Sequence, residues 1–265
     1  MFSLTVKITS VDLKYLKRDV GAVLPGVKSS HRCEAIARGF GFGTYASLLA
    51  ALKSGSTVSV PVSGARFCAY LDAHGFKAHP PQFYRPSARV ALRKLMHDEP
   101  RLTLWGIGIG QPQRGRGDRR ETLKEFNARF VAERAALDTD EAAEQFLASL
   151  TLLAEVPRTK TVRPKTGSYW LKHVAENLRC TYPEGDELGP RYVANGALVA
   201  AALHLGFKAG TSLDDLGYVY VHVRFNMSPK ALIDLDCSIR PDGPQAQERR
   251  RREERLAKPW ATMSW

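Results

Sequence analysis

The chain has 265 residues, 44% hydrophobic and 25% charged, which excludes a disordered chain and fits one or two packed domains. Thirty-nine Lys and Arg stand against 27 Asp and Glu, a formal net charge of +12. This surplus favours polyanions: nucleic acid, a nucleoprotein or an acidic protein surface. The four cysteines, Cys33, Cys68, Cys180 and Cys237, are widely separated and form no CxxC pair, which argues against a clustered zinc site or a disulfide framework and for free thiols in a reducing compartment.

In chain order, residues 2–9 alternate as a strand, and Val11, Leu13, Leu16 and Val20 mark the buried face of a helix. Ser29 and Ser30 are expected to cap a helix through Arg38, and Thr44 another that carries Leu48, Leu49 and Leu52. Residues 30–52 thus have the outline of a helix-turn-helix, with Ala35, Gly41 and Leu48 at packing positions. The second helix offers no base-reading side chain before Lys53, so a helix pair packed into a core is the favoured reading. Val58–Val60 reads as a short extended piece, and Ser63 as the start of a helix bearing Phe67, Tyr70 and Leu71.

Gly39-Phe40, Gly75-Phe76 and Gly206-Phe207 each suggest a helix closed by a left-handed glycine, with the next apolar side chain folded back. Three prolines predict an extended 79–86 before a helix at 87–97. Five glycines between Gly106 and Gly117 mark the main flexible connection. A helix with Leu123, Phe126, Phe130, Val131 and Leu137 as its apolar face follows, and Asp138-Thr139-Asp140 caps another that Pro157 ends. After a basic connector, 158–167, come a helix from Ser168, an acid- and glycine-rich turn at 184–189 and a small-residue helix at 192–205. Residues 218–225 alternate as a strand, with Val219, Val221, Val223 and Phe225 on one side and Tyr218, Tyr220, His222 and Arg224 on the other. Ala231–Leu235 is its expected partner strand.

The fold class is therefore α+β. It comprises a basic helix-rich N-terminal lobe with short strands (1–105), a central helical hairpin (118–157), a C-terminal lobe of two helices plus an antiparallel β-hairpin (167–240) and a charged tail (241–265). The longest apolar stretch, 193–207, is too short for a membrane span, and the N-terminus lacks the apolar core of a signal peptide. A cytoplasmic protein without membrane contact is expected.

Basic runs are the leading binding candidates: Arg114, Arg116, Arg119 and Arg120 on the glycine-rich segment, and Arg158, Lys160, Arg163, Lys165 and Lys172 around the connector. Such runs suit phosphates, which need charge but no base geometry. Residues 158–172 carry five cations and no acid, whereas 173–265 carry twelve of each. The Tyr-His-Arg side of 218–225 could stack bases, but with no second aromatic strand an ordinary solvated face is favoured. The tail run Arg249–Arg252 is flanked by acids and reads as self-paired.

For catalysis, Asp234 and Asp236 would share one side of the expected strand, where paired carboxylates can hold magnesium, but a solvated hairpin end is the favoured reading. Tyr169, His173 and Glu176 fall on one helical face, where His173 could act as acid or base or simply form a polar seam. There is no P-loop, HExxH, GxSxG or EF-hand pattern, and no metal site or cofactor is implied.

Two stretches, Ser30–Tyr45 and Ser168–Glu176, the latter with Tyr192–Ala197 and Ala200–Phe207 downstream, resemble uncharacterised proteins of proteobacterial plasmids and integrative mobile elements over about half the chain. The resemblance implies context only. Together these features lead to a non-enzymatic binding protein of a mobile element, acting on nucleic acid or a nucleoprotein complex, with an inhibitor of a CRISPR-type defence effector as one form. A protein partner is expected on the C-terminal lobe. The alternative is a metal-dependent or acid/base enzyme acting on nucleic acid.

Overall fold

Alternation at the N-terminus makes β1 (Thr5–Ile8), whose Val6 and Ile8 are buried while Thr5 and Lys7 face out. Thr9 then opens α1 (Ser10–Val23) with a full capping box to Asp12. The computed structural model describes residues 2–53, 55, 57–114 and 119–257. α2 (Ser29–Gly39) begins at Lys28 without a side-chain cap, so neither Ser29 nor Ser30 caps it. Thr44 does cap α3 (Tyr45–Leu52), through a box with Ser47. β2 (Val58–Pro61) pairs antiparallel with β1, and Ser63 caps α4 (Gly64–Asp72). The α2–α3 pair is a core element, with Ala35, Ile36, Leu48 and Leu52 buried.

α5 (Pro81–Asp98) starts within the stretch expected to be extended. Pro81 occupies the first helical turn, where its missing N–H costs nothing, and Pro86 is accommodated inside the helix. Arg89 and Arg93 of this helix reach Asp19 of α1, which is 7% exposed, and Asp138 in the turn within the next helical pair. β3 (Leu102–Thr103) and β4 (Gly106–Ile107) form a tight antiparallel turn. α6 (Leu123–Leu137) and α7 (Asp140–Leu153) form the expected helical hairpin.

The two helices of that hairpin differ. α7 is central and packs against α5 on one side. α6 buries only Leu137 of its expected apolar face, and Leu123 is 76% exposed. Polar contacts hold it instead: Arg134 donates to the carbonyls of Met96, Pro100 and Leu102, and Arg129 to those of Ile109 and Gln111.

α8 (Ser168–Glu176) is followed by the strands β5 (Cys180–Thr181) and β6 (Glu187–Gly189), then by α9 (Asn195–His204), which lies along α7. β7 (Ala209–Gly210) pairs with β8 (Arg224–Phe225), and α10 (Pro229–Ile239) and α11 (Pro244–Ala257) finish the described chain. Ala231–Leu235 is therefore helical and is not a partner strand. Ser228 caps α10 from in front of Pro229, a helix-start pair, and within 231–235 only Ile233 is β-branched, so the stretch itself does not resist a helix. The partner of 223–225 is instead Ala209–Gly210 on one edge and the connector on the other: Ser168 N–H donates to the Val223 carbonyl, and the Thr166 hydroxyl to that of Phe225.

The fold is α+β, helix-rich with four two-stranded antiparallel sheets among the described residues. One cluster of buried apolar residues runs from Phe2 to Leu232, so the segments share a core. All four cysteines are free.

Three helices end as the glycine–phenylalanine pattern anticipates, with one shift. Gly75 and Gly206 both have φ +78, and Phe76 and Phe207 donate back five residues, to Leu71 and Ala202. At the first site the left-handed residue is Gly41 rather than Gly39, and Phe42 closes the turn on Ala37. Gly39 is required for another reason: Phe83 packs where its Cβ would be.

Gly196 is the tightest of these positions, because a Cβ there would overlap the Thr103 carbonyl. Gly196→Ala should lower the unfolding free energy by about 3 kcal/mol or more. Gly26→Ala, where nothing lies within 4 Å of the new methyl, should change it by less than about 0.5 kcal/mol. Urea unfolding followed by circular dichroism measures both.

Candidate functional site

The connector, α8, the β3–β4 turn and the 218–225 segment meet where α9 begins. Glycine lets them approach: Gly196 N–H donates to the Leu104 carbonyl, and Gly106 lies against the Val221 carbonyl with no room for a side chain. The Asn195 side chain ties the junction together, its Nδ2 donating to the carbonyls of Trp105 at 2.6 Å and Val221 at 3.2 Å. The run 106–110, expected as a flexible connection, is thereby part of the core, with Ile107 and Ile109 buried. Gly106 serves close packing, while Gly108 and Gly110 take left-handed conformations, φ +78 and +70.

This junction encloses a cavity of about 370 Å³ lined by Trp105, Tyr169, Lys172, Tyr192, Asn195 and His222, with Leu104, Ala194 and Val221. A second cavity of about 230 Å³ adjoins it, shares His222 and is bordered by Val162, Tyr220 and Arg224. Trp105, Tyr169, Tyr192 and Tyr220 are each about half exposed or more. Tyr169 meets His173 edge-on at 4.7 Å between ring centroids and His222 at the same distance, and Tyr220 meets His222 at 5.4 Å.

Lys172 is 8% exposed. Its Nζ donates to Glu176 at 2.8 Å and sits 5.0 Å from the Tyr192 ring centre and 5.7 Å from that of Tyr169. The other Glu176 oxygen meets His173 Nδ1 at 2.7 Å. Burial alone would raise the Glu176 carboxyl, but these two partners hold it below the usual carboxylate range. Burial, followed by the nearby Lys172 charge, pushes His222 below the ordinary histidine value. Two buried polar atoms at the cavity have no hydrogen-bond partner: Asn195 Oδ1 and His222 Nδ1.

The basic residues divide into two groups. Arg158 is used structurally, donating to the Leu205 carbonyl and lying over the Phe207 ring. Lys172 is inside the site and already paired. Lys160, Arg163 and Lys165 are exposed and have no ion-pair partner among the described residues. Arg119 pairs with Glu125, the backbones of Arg114 and Arg120 bridge each other, and Arg116 lies outside the described residues.

Asp234 and Asp236 do not form a pair. On a helix, residues two apart point in different directions. Asp236 is 1% exposed and bound by Arg240 and Trp170, while Asp234 is on the surface with Arg249. Among the described residues no three His, Cys, Asp or Glu side chains are placed to hold a metal ion, and no helix is long and apolar enough to cross a membrane.

The structure thus joins two separately noted features, the Tyr169–His173–Glu176 face and the Tyr220–His222–Arg224 side. Trp105, Tyr192 and Asn195 completed the site unannounced. The available signal was Asn195-Gly196 opening a small-residue helix, because such a helix lets backbone and side chains crowd its start. No protein-family model, curated protein or solved structure matches the chain.

Burial also lowers the pKa of His204, which packs edge-on against Phe146. Both His204 and His222 are held neutral by the fold. Their stabilising contribution is complete above the unfolded value of about 6.5 and is lost as pH falls through the folded values. The urea midpoint should therefore fall between pH 7.5 and pH 5, above the range where carboxylates titrate. His204→Gln, which does not titrate, should flatten part of that fall.

Proposed function

We propose that this chain is a non-enzymatic binding protein for single-stranded nucleic acid, free or within a nucleoprotein complex. The observation that carries this reading is the convergence of Trp105, Tyr169, Tyr192 and Tyr220 from separate segments onto two adjoining cavities, beside a connector with three unpaired exposed cations. Aromatic faces stack unpaired bases whatever their sequence, and nearby cations neutralise the backbone. Duplex reading finds less support, since α3, the one helix placed like a recognition helix, turns Leu48 and Leu52 into the core.

The hairpin tip beyond the second cavity supports an additional protein contact, because Leu213 and Leu216 there are each about two-thirds exposed. Together with the resemblance to mobile-element proteins, this favours a nucleoprotein target, of which a CRISPR-type defence effector is one form. The His173–Glu176 pair favours a second reading, acid/base chemistry on the bound strand. That reading requires labelled DNA or RNA to be converted by the wild-type chain, with magnesium or manganese present, and not by His173→Gln.

Binding of fluorescent DNA and RNA oligomers at several salt concentrations tests the main proposal. With Lys160, Arg163, Lys165 and Arg224 each meeting a phosphate, the log–log salt slope should be about −3. Replacing the three connector cations by alanine should reduce it to about −1. Trp105→Ala should weaken binding about tenfold or more with the slope unchanged. Absence of binding to any strand at low salt would refute the reading and leave an acidic protein surface as the partner.

A further inference from the structure

We propose that the cavity at the start of α9 is a nucleobase subsite, taking one unpaired base whose exocyclic amino group donates to Asn195 Oδ1. This rests on the single-strand reading above and specifies what the site recognises.

Asn195 is 6% exposed, and the direction of its amide is settled by its neighbours. Both hydrogens of Nδ2 face carbonyl oxygens, those of Trp105 and Val221, so the nitrogen cannot exchange places with Oδ1 without setting oxygen against oxygen. Oδ1 is left buried without a donor. An unpaired buried acceptor is costly, and each such group in a folded protein calls for an explanation. An amide oxygen accepts only, so the missing group carries N–H or O–H. Phosphates and carboxylates are thereby excluded as its partner.

The other walls narrow the class. Trp105, Tyr169 and Tyr192 line the cavity with aromatic surface, suited to a flat ring. Lys172 is the one cation among the lining residues, and Glu176 neutralises it, so nothing here demands an anion. The volume, about 370 Å³, falls in the range of small-ligand pockets, roughly 300–1,000 Å³. His222, whose Nδ1 is the second unpartnered atom, lines both cavities. Thymine or uracil would present a single N–H between two carbonyls, each opposed to Oδ1. The cations lie outside, where Arg224 borders the second cavity and Arg163 and Lys165 flank Val162 and Gly167. Bases that are splayed from a strand are held in this manner, ring in an aromatic pocket and phosphates on an external basic track.

Replacing Asn195 would also release the Trp105 and Val221 carbonyls, so the deletion is made on the ligand. The full-length chain is titrated, at one low salt concentration, with fluorescent homo-oligomers of adenine and of cytosine and with matched oligomers of purine and of pyrimidin-2-one, which lack only the amino group. The expected result is binding about tenfold weaker for the amine-free member of at least one pair. Equal affinity within both pairs would overturn the base-reading role while leaving single-strand binding intact. Failure of every oligomer to bind would overturn both.

Discussion

One side chain, Asn195, holds together three of the segments from which the site is built, the β3–β4 turn, the 218–225 segment and the start of α9. Its amide nitrogen bridges the Trp105 and Val221 carbonyls, and it can do so only because Gly196 and Gly106 let the neighbouring backbones come within contact. The Thr103 hydroxyl completes the turn by donating to the Gly108 carbonyl. Lys172 and Glu176 then secure the approach to the helix, through the Val193 carbonyl and N–H two residues before it, each at 3.5 Å. Without this junction the aromatic groups would belong to separate parts of the molecule. With it, they share a cavity.

The charges follow the same division between structure and recognition. Arg89 and Arg93 are buried against Asp19 and Asp138, and Glu144 on α7 accepts from Arg85, Arg191 and Tyr182, joining early helices to the C-terminal segment. Removing one member of such a cluster leaves an uncompensated buried charge, which is why these arginines serve the fold and are unsuited to a partner. Lys160, Arg163 and Lys165 of the connector are exposed, have no ion-pair partner among the described residues and lie beside the site. The cavity itself is close to neutral, because Glu176 pairs with Lys172.

Much of the fold could be read from the chain because it depends on neighbours in sequence. Capping threonines at positions 9, 44, 122 and 139, the helical hairpin, the Gly75 and Gly206 terminators and the inward Val223 and Phe225 are all local signals. The failures occurred where distant contacts decide. Five glycines look alike whether they loosen a linker or admit a neighbouring backbone, and only the position of Val221 shows that Gly106 does the latter. Leu123 and Val131 have the spacing of a core face, yet the arginines of α6 reach the 100–111 carbonyls and turn those leucine and valine side chains to solvent. Ser228-Pro229 was a local helix signal that the alternating pattern before it obscured. At the site, Tyr169, His173 and Glu176 were legible from helical spacing, whereas Trp105 and Asn195, 90 residues apart, could be related only by the folded chain.

The central claim is that one aromatic surface around the start of α9 receives an unpaired strand. Ultraviolet cross-linking of the intact chain to single-stranded oligomers, mapped by mass spectrometry of the digested protein, tests it most directly. Cross-links should concentrate on the peptides containing Trp105, Tyr169, Tyr192 and Tyr220 and diminish as salt rises. Cross-links confined to other surfaces, such as the Arg38–Arg66 face beside α2 and α4, would contradict it.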